Sequence, residues 1–193
     1  MAMSRTLRFS LFFALLCAAV ASCISPPDYP DTPSIKFKRL DVVRISDATG
    51  VFDSDTIVIS FEDGNGDLGL STDDIMAPYN EVKDPATGRN TNLNYFNYYI
   101  QPQVKYLGTT DFVDFVNPAP FGFVGEFYSR YPRLDPDAEK EAPLKGDLRF
   151  NIKWYLQAPF FPGDEVRFKV SINDRALNQS NEIITSSYIV QPQ

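Results

Sequence analysis

The sequence predicts an all-β protein, a β-sandwich with long loops. Three observations point there: apolar runs with the two-residue period of strands, almost no helical period, and turn residues between the runs. Ile35, Phe37, Val42, Val43 and Ile45 begin the series, and Thr56 through Phe61 form a short continuous apolar segment suited to a buried strand. Tyr98 to Tyr106 and Phe112 to Val116 follow. The last third alternates most clearly, in Leu148 to Trp154, in Val166 to Ile172, and in a closing strand from Ile183 to Val190. Alternation of this kind buries one face and wets the other. Pro162-Gly163-Asp164 before one strand and Asn173 to Asn178 after it supply turn chemistry.

A closed barrel is the competing all-β architecture. It calls for shorter and more even connections than Asp73 to Asn94 and Asn117 to Pro143, which are rich in Pro, Asn and Asp and read as irregular loops.

The chain opens with Arg5 and Arg8, an apolar stretch from Phe9 to Val20, and small residues, the three parts of a secretory signal over residues 1–22. That stretch is short for a bilayer span. Val20-Ala21-Ser22-Cys23 resembles the lipobox of bacterial lipoproteins. The resemblance implies diacylglyceryl attachment to the Cys23 sulfur, cleavage before it, and acylation of the new amino terminus. Such an anchor holds by roughly 0.8 kcal/mol per buried methylene. Ile24 is not the aspartate that retains some lipoproteins in the inner membrane, so the expected location is the outer membrane, on its periplasmic face or at the cell surface. Residues 23–33, with four prolines, read as a stiff, lipidated tether, and 34–193 as a single β-sandwich domain.

Composition narrows the partners. Without Arg5 and Arg8 the chain keeps 16 basic residues against 25 acidic ones, a formal charge of about −9. Nucleic acid is therefore not an expected partner, since binding it begins with clustered cations neutralising phosphates. The membrane is expected through the N-terminal lipid, and a glycan or another envelope protein through the domain. Cys17 falls inside the signal and Cys23 is lipidated, so no disulfide is expected in the mature chain. With no histidine and no free cysteine, Ser-His-Asp and Cys-His catalysis and His-ligated zinc are excluded, and no pair of carboxylates is marked out for glycoside hydrolysis. The expectation is a protein that is not an enzyme.

Pro162-Gly163-Asp164-Glu165-Val166-Arg167-Phe168 and Ile172-Asn173-Asp174-Arg175-Ala176-Leu177-Asn178-Gln179-Ser180-Asn181 resemble the final hairpin of bacterial immunoglobulin-like or fibronectin-III-like domains. Together with the lipobox, Phe61 to Gly69 and Arg130 to Leu134, the chain resembles uncharacterised Bacteroidota-type lipoproteins. The resemblance implies an immunoglobulin-like β-sandwich in the cell envelope and no activity.

One segment carries a metal pattern. Counted from Asp63, side-chain oxygens of Asp63, Asn65, Asp67, Ser71 and Asp74 fall at positions 1, 3, 5, 9 and 12, the spacing of a calcium loop, which makes Ca²⁺ the candidate ligand. Leu68 stands where that pattern has glycine, Asp74 where it has glutamate, and no helix flanks it. The competing reading is a glycine-rich turn whose Asp and Asn side chains cap their own backbone. A second feature is the aromatic series Tyr95, Phe96, Tyr98, Tyr99, Tyr106, Phe121, Phe123, Phe127, Tyr128 and Tyr131, which serves either a core or a sugar-stacking face. Arg130, Arg133, Asp174 and Arg175 are read as structural. The functional expectation is a lipid-anchored, non-enzymatic envelope module, with a surface glycan-binding lipoprotein as the alternative.

Overall fold

A computed structural model describes residues 27–48, 50–135, 141–155 and 159–192. The signal segment, Cys23 and the first residues of the tether lie outside the described residues. Eight strands follow in order: β1 (Ser34–Asp47), β2 (Gly50–Asp63), β3 (Tyr98–Lys105), β4 (Val113–Asp114), β5 (Leu144–Tyr155), β6 (Glu165–Ile172), β7 (Ile183–Ile184) and β8 (Tyr188–Ile189). Among the described residues the one helical element is a 3₁₀ turn, Leu93–Tyr95.

The strands form two antiparallel sheets, consistent with a β-sandwich. One has the order β1-β2-β5, and the other runs β4-β3-β6-β7 with β8 also pairing β6. β2 is the centre of the first sheet, and its Ile57, Val58 and Ile59 are all fully buried. That is why this segment reads as a continuous apolar run rather than an alternating one. β5 and β6 do alternate, as edge and half-wet strands should.

Inward residues of both sheets meet in a single core. Ile35, Ile57, Ile59, Phe61, Leu148 and Trp154 of the first sheet pack with Tyr98, Ile100, Val104, Val166, Phe168, Val170 and Ile172 of the second. Tyr98 stacks on Phe150 across the sheets at 4.8 Å between ring centres. Trp154 packs with Phe115, Phe127 and Phe160 beside the part of β2 around Asp53. Asp63 lies at the other end of β2.

One expectation is corrected. The closing strand is two short pieces, β7 and β8, because Thr185 breaks it: the Phe168 amide donates to Thr185 Oγ1 (3.0 Å) while the Thr185 amide donates to the Phe168 carbonyl (2.9 Å). A hydroxyl thus takes a ladder position that a backbone carbonyl would hold. The last residues of the tether, those within the described range, lie against the domain. The chain bends at Asp31 and Thr32, and the Pro30 carbonyl accepts from the Gly64 amide at 2.8 Å.

Candidate metal centre

Strand parity builds the site. In β2 the inward row Ile57, Ile59, Phe61 continues with period two to Asp63, and in β6 the inward row Val166, Phe168, Val170, Ile172 continues to Asp174 just past the strand end. Each sheet therefore ends an apolar row on a carboxylate aimed at the space between the sheets. Asp63 is 0% exposed and Asp174 3%.

The intervening loop brings the third acid. Gly66 and Gly69 take positive φ values of 71° and 92°, which turn the chain so that Leu68 plugs the core and pairs in an antiparallel bridge with Asp174. The Arg175 amide donates to the Asp67 carbonyl (3.1 Å), and the Ala176 amide to Asp67 Oδ2 (3.0 Å). With both loops knitted, carboxylate oxygens of Asp63, Asp67 and Asp174 lie within 4.8 Å of one another.

These carboxylates differ in how they are satisfied. Asp174 accepts from the Asn178 amide (2.7 Å) and from Asn178 Nδ2 (2.8 Å). Asp67 Oδ1 and both oxygens of Asp63 are buried with no hydrogen-bond partner, and Asn173 Oδ1 nearby in sequence is likewise unpartnered. Burial, reinforced by the charges of Asp67 and Asp174, pushes the Asp63 carboxyl up to about 7; the Gly66 and Asp67 amides lie near enough to offset part of this without closing a hydrogen bond. Burial and Asp174 raise Asp67 as well, with Arg175 acting against them. The Arg175 guanidinium is committed elsewhere, to Asp135 at 2.9 Å.

The residues expected from spacing divide into two groups. Asp63 and Asp67 converge, joined by Asp174, which the spacing pattern did not contain. Its signal in the sequence was the inward parity after Ile172. Asn65 Oδ1 accepts from the Asp67 amide at 3.4 Å, a cap within the loop. Ser71 and Asp74 belong to another network: the Ser71 amide donates to Asp74 Oδ2 (2.6 Å), Ser71 Oγ accepts from the Asp73 amide (3.2 Å), and Arg133 pairs with Asp74. Arg130 donates from Nη2 to the Ser71 and Asp74 carbonyls at 2.9 and 2.7 Å.

Comparison with family models, with curated proteins and with solved structures gave no match. The aromatic series offers no exposed row. Phe96 and Tyr99 both meet the Tyr128 ring edge to face, Tyr95 meets Phe96, and Tyr98 and Tyr131 are buried. Phe121, 72% exposed, and Tyr106 are the members of the series left open to solvent.

Proposed function

We propose that this chain is a lipid-anchored, non-enzymatic module of the cell envelope, an immunoglobulin-like β-sandwich acting in binding or envelope structure and steadied by Ca²⁺. The observation that carries the metal part is the Asp63 carboxylate, fully buried with both oxygens unpartnered and two more carboxylates within 4.8 Å. Buried like charges left unpaired cost several kcal/mol, and a divalent cation compensates all three at once. The donors are all oxygens and the sequence has no histidine, which favours a hard ion over zinc or copper. Asp63, Asp67 and Asp174 would hold the ion, with Asn173 Oδ1 as a neutral candidate. Because Asp63 comes from one sheet and Asp174 from beside the other, the ion would clip the sandwich shut.

The same burial argues against a hydrolytic carboxylate pair, which needs a sugar ring and a water between its members. Packing of the rings on one another takes weight from glycan binding. Thermal unfolding of the full chain carrying Cys23→Ser, in EDTA and in millimolar Ca²⁺, tests the reading. The expected result is a melting temperature several degrees higher with Ca²⁺ in the parent and unchanged in Asp63→Ala. Equal melting temperatures in the parent would sink the metal part.

A further inference from the structure

The acidic loop also holds the tether. Gly64, the residue after Asp63, donates its amide to the Pro30 carbonyl at 2.8 Å. A Cβ at Gly64 would run into the Tyr29 carbonyl oxygen and come to 3.0 Å from Asp31 Oδ1, so the tether backbone lies directly on this glycine. Tyr29 is held a second time, with Lys145 Nζ 5.8 Å above its ring, and Lys145 is fixed in turn by Glu62 at 2.7 Å. These contacts of Tyr29, Pro30 and Asp31 fall on residues at the end of β2 or on the start of β5 opposite it, beside the buried carboxylate of Asp63.

Resting on the Ca²⁺ reading above, we infer that occupancy of the Asp63, Asp67 and Asp174 site controls whether the tether is docked, and with it the reach of the domain from its membrane anchor. Without a cation, nothing draws the three converging carboxyl groups together, the 63–67 loop loosens, and Gly64 moves with Asp63. The surface that Tyr29, Pro30 and Asp31 lie on then loses its shape. With the cation, the carboxylates are drawn together and Gly64 is presented as found. An ion that binds the closed loop stabilises everything that depends on that loop, and the coupling is reciprocal: a docked tether tightens Ca²⁺ binding by the factor by which Ca²⁺ favours docking. Release frees the chain ahead of β1, where residues 30–33 can span at most about 13 Å at full extension. Ca²⁺ therefore sets a short, fixed stance, and its loss a longer and looser one.

A spin label reads this directly. The full chain carrying Cys17→Ser and Cys23→Ser, with Asp28→Cys as its one thiol, is labelled with a nitroxide, and calorimetry with Ca²⁺ is run on each variant. In the parent the immobilised fraction of the label is expected to rise at least twofold from EDTA to saturating Ca²⁺. Asp174→Asn is expected to erase that change. Gly64→Ala and Tyr29→Ala are expected to leave the label mobile in both conditions while still binding Ca²⁺, three- to tenfold more weakly. Tyr29→Ala leaves the loop backbone untouched, so a folding defect in Gly64→Ala does not blunt the test. Ca²⁺ binding with an unchanged label spectrum overturns the coupling and leaves the metal site standing, whereas no heat with Ca²⁺ overturns both.

Discussion

Asp74 is held by Arg133 through both its oxygens, Nη2 at 2.9 Å from Oδ1 and Nε at 3.2 Å from Oδ2. The carboxylate that closes the calcium spacing along the chain is thus neutralised by a guanidinium, while Asp174, more than a hundred residues away from Asp63, joins the buried acids. Metal affinity should follow the fold and not the spacing. Asp174→Ala and Asp63→Ala should each weaken Ca²⁺ binding at least tenfold by calorimetry, and Asp74→Ala less than threefold. Asp74→Ala should instead lower stability by about 1 kcal/mol, since it strips partners from a half-buried arginine and the Ser71 amide.

Asp55 makes stability depend on pH. It is 0% exposed, accepts from the Tyr188 hydroxyl at 2.8 Å, and has a second oxygen without a partner. Burial pushes its carboxyl up to about 7, the Tyr188 hydrogen bond acts against this, and Asp53, itself paired with Arg44, adds to it. The folded pKa lies above the unfolded value near 4. The folded state therefore keeps a proton that the unfolded chain has lost, so this contribution is full below about pH 4 and disappears as pH climbs through 7. With Ca²⁺ saturating, denaturant titrations should show stability falling by of the order of 2 kcal/mol between pH 5 and 8. Asp55→Asn should flatten the curve over that range, and an unchanged slope in the variant would refute the assignment.

Asn97 ties the second long loop to the start of β3. Its Nδ2 donates to the Tyr131 carbonyl (3.0 Å) and its Oδ1 accepts from the Tyr131 amide (2.8 Å), all buried. Asn97→Ala leaves the buried Tyr131 amide without a partner, at about 1 to 3 kcal/mol, while the Tyr131 carbonyl keeps the Leu70 amide at 3.1 Å. We expect a loss of about 2 kcal/mol in urea unfolding, with Tyr131→Phe, which keeps the backbone pair, costing less.

The proposed lipidation at Cys23 predicts where the protein fractionates. The parent should partition into detergent and sediment with membranes, and Cys23→Ser should appear in the soluble fraction. A serine variant that stays with the membranes as the parent does would remove the anchor, the tether's purpose and the envelope location together.

Much of the fold could be read along the chain because it is written in nearest neighbours. The alternation in Leu148 to Trp154 and Val166 to Ile172, and the β-branched run at Thr56 to Ile59, are local signals that each become a strand. The break between β7 and β8 was hidden because it depends on which residue Thr185 faces, and Phe168 is seventeen positions earlier. The candidate site divides the same way. Asp63 and Asp67 stand together in a glycine-rich segment that already looks like an ion loop, whereas Asp174 sits in a stretch whose turn chemistry explains it fully without an ion.

By itself the sequence determined most of the longer strands, the acidic charge, the absence of imidazole chemistry and an acidic, glycine-rich loop with an ion's ligand types, since these depend on composition and on spacing of a few residues. Tertiary structure alone decided which carboxylates meet and which are neutralised, and that the tether lies on Gly64. Those outcomes turn on the pairing of two sheets across the core, where inward parity carries Asp63 and Asp174 to the same buried gap and leaves Asp74 to an arginine. Charge in a gap that water does not reach is set by what stands opposite, and no linear pattern records that.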